Sequence, residues 1–103
     1  MFSVAAIVNE PLATVHRFVA WYLEQGAQEI TLFFDNPDDG AIAALAGVER
    51  VTTVPCTPEF WGALGMANEP RFTKRQNRAL THAYQQMTDG WLLNVDGDEL
   101  LYF

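Results

Sequence analysis

The chain has 103 residues, 50% of them hydrophobic and 13% aromatic, which is enough for a single domain with a packed core. With 13 acidic residues against 6 basic ones, the formal net charge is −7, which argues against a protein that binds nucleic acid or an anionic membrane through a broadly basic face. The single cysteine, Cys56, allows no intrachain disulfide, so we expect a reducing, cytoplasmic compartment and a small buried side chain rather than a catalytic thiol.

The first predicted element is a strand from Phe2 to Val8, whose continuous apolar run is typical of a strand covered on both faces. This run is too short to cross a membrane, so we expect a soluble protein without a transmembrane segment. Asn9 is predicted to cap a helix whose apolar residues recur from Leu12 to Leu23, and Gly26 ends that helix.

Two further strands and a short helix follow. Ile30 to Phe34 is the second apolar run, and a short alanine-rich helix is predicted over about residues 41–46. Val48 to Val54 is the third predicted strand. Residues 55–70 then carry three prolines and two glycines, which predicts a long loop with room for one helical turn. We expect Phe60 and Trp61 in this loop to be exposed and to favour a homo-oligomer.

The last helix is predicted from about Phe72 to Met87, before a fourth strand from Trp91 to Val95. Its predicted inner side consists of Phe72, Ala79, Leu80, Ala83, Tyr84 and Met87. Strands that alternate with helices predict an α/β fold, with a four-stranded parallel sheet between two layers of helices. No internal repeat or linker interrupts residues 1–103, so we expect one domain.

Polar residues follow three of the four predicted strands: Asn9-Glu10, Asp35-Asn36, and Asp96 with Asp98 and Glu99. In parallel sheets, ligands bind beyond the carboxyl ends of the strands, so these residues are candidates for one site. The acidic group after the fourth strand favours a divalent cation, because close carboxylates oppose one another's ionisation and oxygen ligands suit Mg²⁺ or Mn²⁺. The alternative is an ordinary polar turn after a strand.

Four of the six basic residues fall between positions 71 and 78: Arg71, Lys74, Arg75 and Arg78. Cations early in a helix oppose its dipole by roughly 0.3–1 kcal/mol each, whereas an anion at the helix N-terminus would favour them. A diphosphate that bridges this face to a metal on Asp98 would explain both clusters. The alternative is that these side chains pair with the surplus carboxylates.

Other chemistries have less support. The chain lacks the G-x-G-x-x-G and P-loop patterns of dinucleotide and NTPase sites, and it has no nucleophile elbow. His16 and His82 lie in predicted helices, where we expect them on the surface or half-buried.

Four segments together resemble family 2 glycosyltransferases of the GT-A fold, in particular the bacterial branch with a D-x-D-E-hydrophobic signature. They are Val8-Asn9-Glu10, Phe34-Asp35-Asn36 with residues 38–40, Arg75-Gln76-Asn77, and the run from Trp91 through Glu99. The resemblance implies a Rossmann-like nucleotide-binding half with strand order 3-2-1-4, in which the first and fourth strands flank the ligand crevice.

The resemblance also implies a role for individual residues. Asn9, Glu10 and Asp35 would hold the base and ribose of a nucleotide-diphosphate sugar. Arg75 would lie near the diphosphate, where we also assign Lys74 and Arg78 from the basic helix face. Asp96 and Asp98 would hold Mn²⁺ or Mg²⁺ together with the sugar nucleotide.

The implied reaction transfers a sugar from this donor to an unidentified acceptor, which is a glycan, a lipid or a protein. Family members continue past D-x-D into an acceptor-binding half, which carries the catalytic base in inverting members. We therefore expect a chain truncated after this motif, with its base beyond Phe103.

Two other functions remain open: a non-catalytic nucleotide- or metal-binding module that acts through a partner, and a phosphatase of the haloacid dehalogenase type. In such phosphatases D-x-D follows the first strand, and Thr or Val stands where this chain has Leu100.

Overall fold

A computed structural model describes residues 2–86, 90–97 and 99–100, and the backbone alone at 72 and 73. The elements in chain order are β1 (Phe2–Val8), α1 (Leu12–Glu24), β2 (Ile30–Phe34), α2 (Gly40–Leu45), β3 (Val51–Pro55), α3 (Pro58–Ala63), α4 (Phe72–Gln85) and β4 (Trp91–Asn94). The strands form one sheet in the order β3-β2-β1-β4, and every pair is parallel. The predicted α/β class, parallel sheet and strand order are confirmed.

The apolar run of β1 is buried on both sides of the sheet. Val4, Ala6 and Val8 belong to a core cluster with buried residues of α1 and α2, whereas Ala5 and Ile7 belong to a second cluster with Trp61 of α3 and Ala79 of α4. Successive side chains of a strand point to opposite faces, so a strand in the middle of the sheet has to be apolar throughout. Helices therefore cover both faces of β1.

The third strand is shorter than predicted and begins at Val51. Gly47 and Arg50 both have left-handed backbone angles, with φ of 83° and 67°, and the amide of Val51 donates to the carbonyl of Val48 at 3.2 Å. This turn occupies positions 48–50, the first part of the segment that the sequence assigned to the strand. The fourth strand ends one residue earlier than predicted, at Asn94.

The predicted long loop contains a helix, α3, which begins after Thr57. The Thr57 hydroxyl accepts the amide of Phe60 at 3.1 Å, and Pro58 occupies the first turn, where its missing N–H has no consequence. The predicted exposure of Phe60 and Trp61 is wrong. Trp61 is only 8% exposed, and the Phe60 ring packs 5.9 Å from that of Phe33. The expected homo-oligomer loses this aromatic pair as a contact surface and stays a prediction.

Two details of the other helices also differ from expectation. Asn9 does not cap α1: the N-cap position is Pro11, without a side-chain cap. Tyr84 was expected on the inner side of α4 but is 67% exposed, because it lies on the flank of the helix. The predicted end of α4 at Met87 falls outside the described residues. None of the helices in the described part of the chain is long and apolar enough to cross a membrane.

Candidate active site

The carboxyl ends of the three strands β1, β2 and β3 lie side by side, which brings together the residues that follow them. Val8 pairs with Phe34, and Phe34 pairs with Pro55. The amide of Asp35 donates to the carbonyl of Val8 at 3.2 Å, and the amide of Cys56 donates to the carbonyl of Phe34 at 3.0 Å. The first residues beyond the strands are thus held in one row along this edge.

Asp35 forms an ion pair with Arg75 of α4 at this edge. Arg75 Nη2 lies 3.5 Å from Asp35 Oδ1, and both side chains are 22% exposed. The guanidinium carbon lies 5.9 Å from the ring centroid of Trp61, close enough for a cation–π contact. Arg75 Nη1 also donates to the carbonyls of Glu69 and Pro70, at 3.3 and 3.4 Å. Arg75 therefore joins α4 to β2, to α3 and to the loop between the two helices.

The other basic residues of the cluster differ in their surroundings. Arg71 Nε pairs with Glu69 Oε1 at 2.6 Å, and hydrogen bonds from Arg71 lower the pKa of Glu69 to about 2. The same pair raises the pKa of Arg71. Pairing with carboxylates, the alternative left open by the sequence, is thus correct for Arg71 and Arg75. Lys74 is exposed, and Arg78 is half-buried, with a buried Nη1 that has no hydrogen-bond partner among the described residues.

The arginines share a flank of α4, as predicted, and this flank faces α3. At about 3.6 residues per turn, the flank contains Arg71, Arg75, Arg78 and His82. Arg75 lies over Trp61, and the His82 ring packs edge-on at 6.0 Å from that of Phe60. The opposite flank borders Asn94 of β4 across a hollow of about 320 Å³. The described contacts of Arg75 therefore lie at the end of β2, where the resemblance locates the base and ribose.

The acidic segment after β4 forms a turn that is closed by two hydrogen bonds. The amide of Asp96 donates to Glu99 Oε1 at 3.2 Å, and the amide of Glu99 donates to the carbonyl of Asp96 at 3.0 Å. We call residues 96–99 the acidic turn; Asp98 within it lies outside the described residues. Asp96 is exposed, whereas one carboxylate oxygen of Glu99 accepts the hydrogen bond from the Asp96 amide.

Glu10 lies against the acidic turn at Gly97. A Cβ atom built on Gly97 would lie 2.7 Å from Val8 Cγ1 and would collide with the Glu10 carboxylate. That carboxylate also accepts the amide of Asn9 at 2.8 Å. The end of β1 and the acidic turn, which the resemblance implies flank one crevice, are in contact at Gly97.

The donor groups suit a hard divalent cation. Asp96 and Glu10 provide carboxylate oxygens at this edge, which is the ligand type that Mg²⁺ and Mn²⁺ prefer. Among the described residues, no three Asp, Glu, His or Cys side chains converge as a metal-binding group. The predicted ligand Asp98 lies outside those residues, so the metal site stays a prediction.

Sequence reasoning missed several residues at this edge. Cys56 is buried, as expected, and the charges of Asp35 and Arg75 both influence the pKa of its thiol. Burial and the charge of Asp35 raise the pKa of its thiol to about 12, and Arg75 acts in the opposite direction. Trp61 was assigned to a loop, although the sequence Thr57-Pro58 contains the signal for a helix start.

A larger hollow of about 620 Å³ lies elsewhere, on the α4 side of the sheet near the amino ends of the strands. Ser3, Thr31, Thr52 and His82 are among its lining residues. None of the predicted site residues that the structure describes lines it, so it is separate from the edge described above. Comparison of the chain with protein-family models, with curated proteins and with solved structures finds no match.

Proposed function

We propose that the chain is the donor-binding domain of a metal-dependent glycosyltransferase, with the Rossmann-like arrangement of the GT-A fold. The observation that carries this proposal is the contact between Glu10 and Gly97, which unites the end of β1 with the acidic turn. Asp35 and Arg75 lie on the same edge of the sheet. A nucleotide-diphosphate sugar needs polar partners for its nucleoside and cationic partners for its diphosphate, and this edge offers both.

The nucleoside would bind at the end of β2. The Asp35 carboxylate accepts hydrogen bonds from a ribose hydroxyl or from an N–H group of the base, and Arg75 holds it in a fixed direction. Asn9 and Glu10 provide further polar groups at the neighbouring strand end. Because Asp35 and Arg75 are partly exposed, a ligand reaches them without unfolding the site.

The diphosphate would lie between the first turns of α4 and the acidic turn. Lys74 is exposed on α4 and would contact the phosphate oxygens directly. Arg78 is half-buried, its Nη1 has no hydrogen-bond partner among the described residues, and it would add a second positive charge. Asp96 and Asp98 would hold Mn²⁺ or Mg²⁺. When bound, the cation stabilises the negative charge that develops on the leaving diphosphate. The acceptor and the catalytic base are not identified by these residues, and the cytoplasm is the compartment that we propose.

Isothermal titration calorimetry with Mn²⁺ and a panel of UDP-, GDP- and dTDP-sugars tests this function. We expect one class of sugar nucleotide to bind only when Mn²⁺ is present. Asp98→Ala should abolish that binding, and Asp96→Asn should weaken it at least tenfold, because each removes a carboxylate ligand. Glu24→Gln removes an exposed carboxylate at the end of α1 and is the matched control. Unchanged affinity in Asp98→Ala would refute the metal assignment.

Release of the nucleotide separates an enzyme from a non-catalytic binding module. A glycosyltransferase domain releases nucleoside diphosphate from the bound donor in the presence of Mn²⁺, by hydrolysis or by transfer. A donor-binding domain without its catalytic base also binds without release, so the assay is repeated on the full encoded reading frame. Metal-dependent binding without release there favours the module that acts through a partner. In phosphatases of the haloacid dehalogenase type, the D-x-D motif follows the first strand. Here Asn9 and Glu10 follow the first strand, so this function is disfavoured.

A further inference from the structure

Tyr22 of α1 links the first helix to the acidic turn. Its side chain is fully buried, and its hydroxyl donates to the backbone carbonyl of Glu99 at 2.8 Å. The ring packs 4.8 Å from that of Phe18 at an interplanar angle of 57°. A phenylalanine would provide the same ring, so the hydroxyl is the part of this side chain that serves the turn.

The described hydrogen bonds within the turn are weaker constraints than the one from Tyr22. The two bonds between Asp96 and Glu99 lie at the surface, where water competes for the same groups. The phenol of Tyr22 instead belongs to the core cluster, which also contains Val95 and contacts Leu100. The hydroxyl thus reaches the turn from the packed core. Val95 and Leu100 hold the chain against the same core on either side of the turn.

We propose that Tyr22 is a positioning residue that fixes the acidic turn in the geometry needed to bind a divalent cation. This inference rests on the proposed function of the same turn. Tyr22 need not touch the cation, because its hydroxyl acts on the backbone of Glu99, and Glu99 is joined to Asp96 by the two hydrogen bonds of the turn. Groups that orient metal ligands in this way typically change affinity about 10–100-fold when they are removed.

The variant Tyr22→Phe tests this role with two measurements on the full chain. Titration with Mn²⁺, followed by the electron paramagnetic resonance signal of the free ion, should give an affinity about tenfold lower than that of the unaltered protein. Amide hydrogen exchange by NMR should become faster at Asp96, Gly97 and Glu99. Tyr84→Phe removes the hydroxyl of an exposed tyrosine on α4 and should change neither measurement.

A second variant separates positioning from general stability. Leu45→Val alters a buried residue of the same core cluster on α2, so it should lower the melting temperature and leave Mn²⁺ affinity unchanged. Mn²⁺ affinity in Tyr22→Phe equal to that of the unaltered protein would overturn the proposal, as would unchanged exchange in the acidic turn. If the unaltered protein binds no Mn²⁺, the proposed function fails, and the exchange rates still decide whether Tyr22 holds the turn.

Discussion

Gly97 illustrates how much a single side-chain atom matters at this edge. It has no left-handed backbone angle, unlike Gly26, Gly47, Gly65 and Gly90, so conformational freedom is not what the position requires. The close approach of Val8 and Glu10 is what requires glycine. A D-x-D sequence leaves its middle residue open, but here the packing between β1 and the turn dictates it.

We therefore predict that Gly97→Ala destabilises the protein by roughly 1–3 kcal/mol, as overpacking of a tight contact does. Gly62→Ala is the matched control, because a Cβ at that helical position meets nothing within 4 Å. Alanine is favoured over glycine in helices by roughly 0.5–1 kcal/mol, so the control should be slightly more stable than the unaltered protein. Urea unfolding followed by circular dichroism measures both, and equal effects would contradict the close contact at Gly97.

Cys56 yields a prediction about pH. Its pKa is raised from 9.0 to about 12, so in the folded protein the thiolate is about a thousandfold scarcer near pH 8 than for an ordinary thiol. Alkylation by iodoacetamide should be slower by a similar factor and should reach the ordinary rate in urea. The neutral thiol stabilises the fold below pH 9, and this contribution is lost as the pH rises from 9 towards 12. Mass spectrometry measures the modification, and rapid labelling at pH 8 would contradict the burial.

At the scale of secondary structure, α3 is the element that the sequence predicted only as one possible helical turn within a loop, and it organises one side of the site. The loop prediction rested on the prolines and glycines of residues 55–70, yet Pro58 begins the helix and Gly62 lies within it. The contacts of α3 with Phe33 and Arg75 help to stabilise so short a helix, and such contacts join positions far apart in the chain.

Because Arg75 joins α3, α4 and β2, its removal should loosen the loop between the two helices. In Arg75→Met, the carbonyls of Glu69 and Pro70 and the carboxylate of Asp35 lose a donor. Hydrogen bonds to charged groups contribute about 1.5–3 kcal/mol, so we expect a loss of that order. In the same variant, hydrogen exchange should become faster at the amides of residues 64–69 and 71. Lys74→Met, at an exposed neighbouring position, should leave both stability and exchange nearly unchanged; similar effects in the two variants would argue against this role of Arg75.

At the scale of the whole molecule, the sequence was sufficient to predict the architecture but only part of the candidate site. Alternating strands and helices with right-handed crossovers leave few arrangements, and the strand order that the resemblance implied is the observed one. The location of Asn9, Glu10 and Asp35 just beyond strand ends could be predicted, because the end of an apolar run is visible in the sequence without knowledge of packing. The link from Tyr22 to Glu99 and the burial of Trp61 depend on distances between remote segments, which periodicity and composition do not contain.

The position of β4 beside β1 also has a consequence for how the chain acquires its structure during synthesis. Phe2 pairs with Trp91, so β1 is synthesised well before the strand that it pairs with on this side. Contacts of such long sequence separation form slowly, because a large loop has to close before they contribute. The strands β1, β2 and β3 can associate earlier, and β4 is then the last of these four strands to join. The acidic turn follows β4, so the region that we propose binds the metal is completed only after β4 has joined β1.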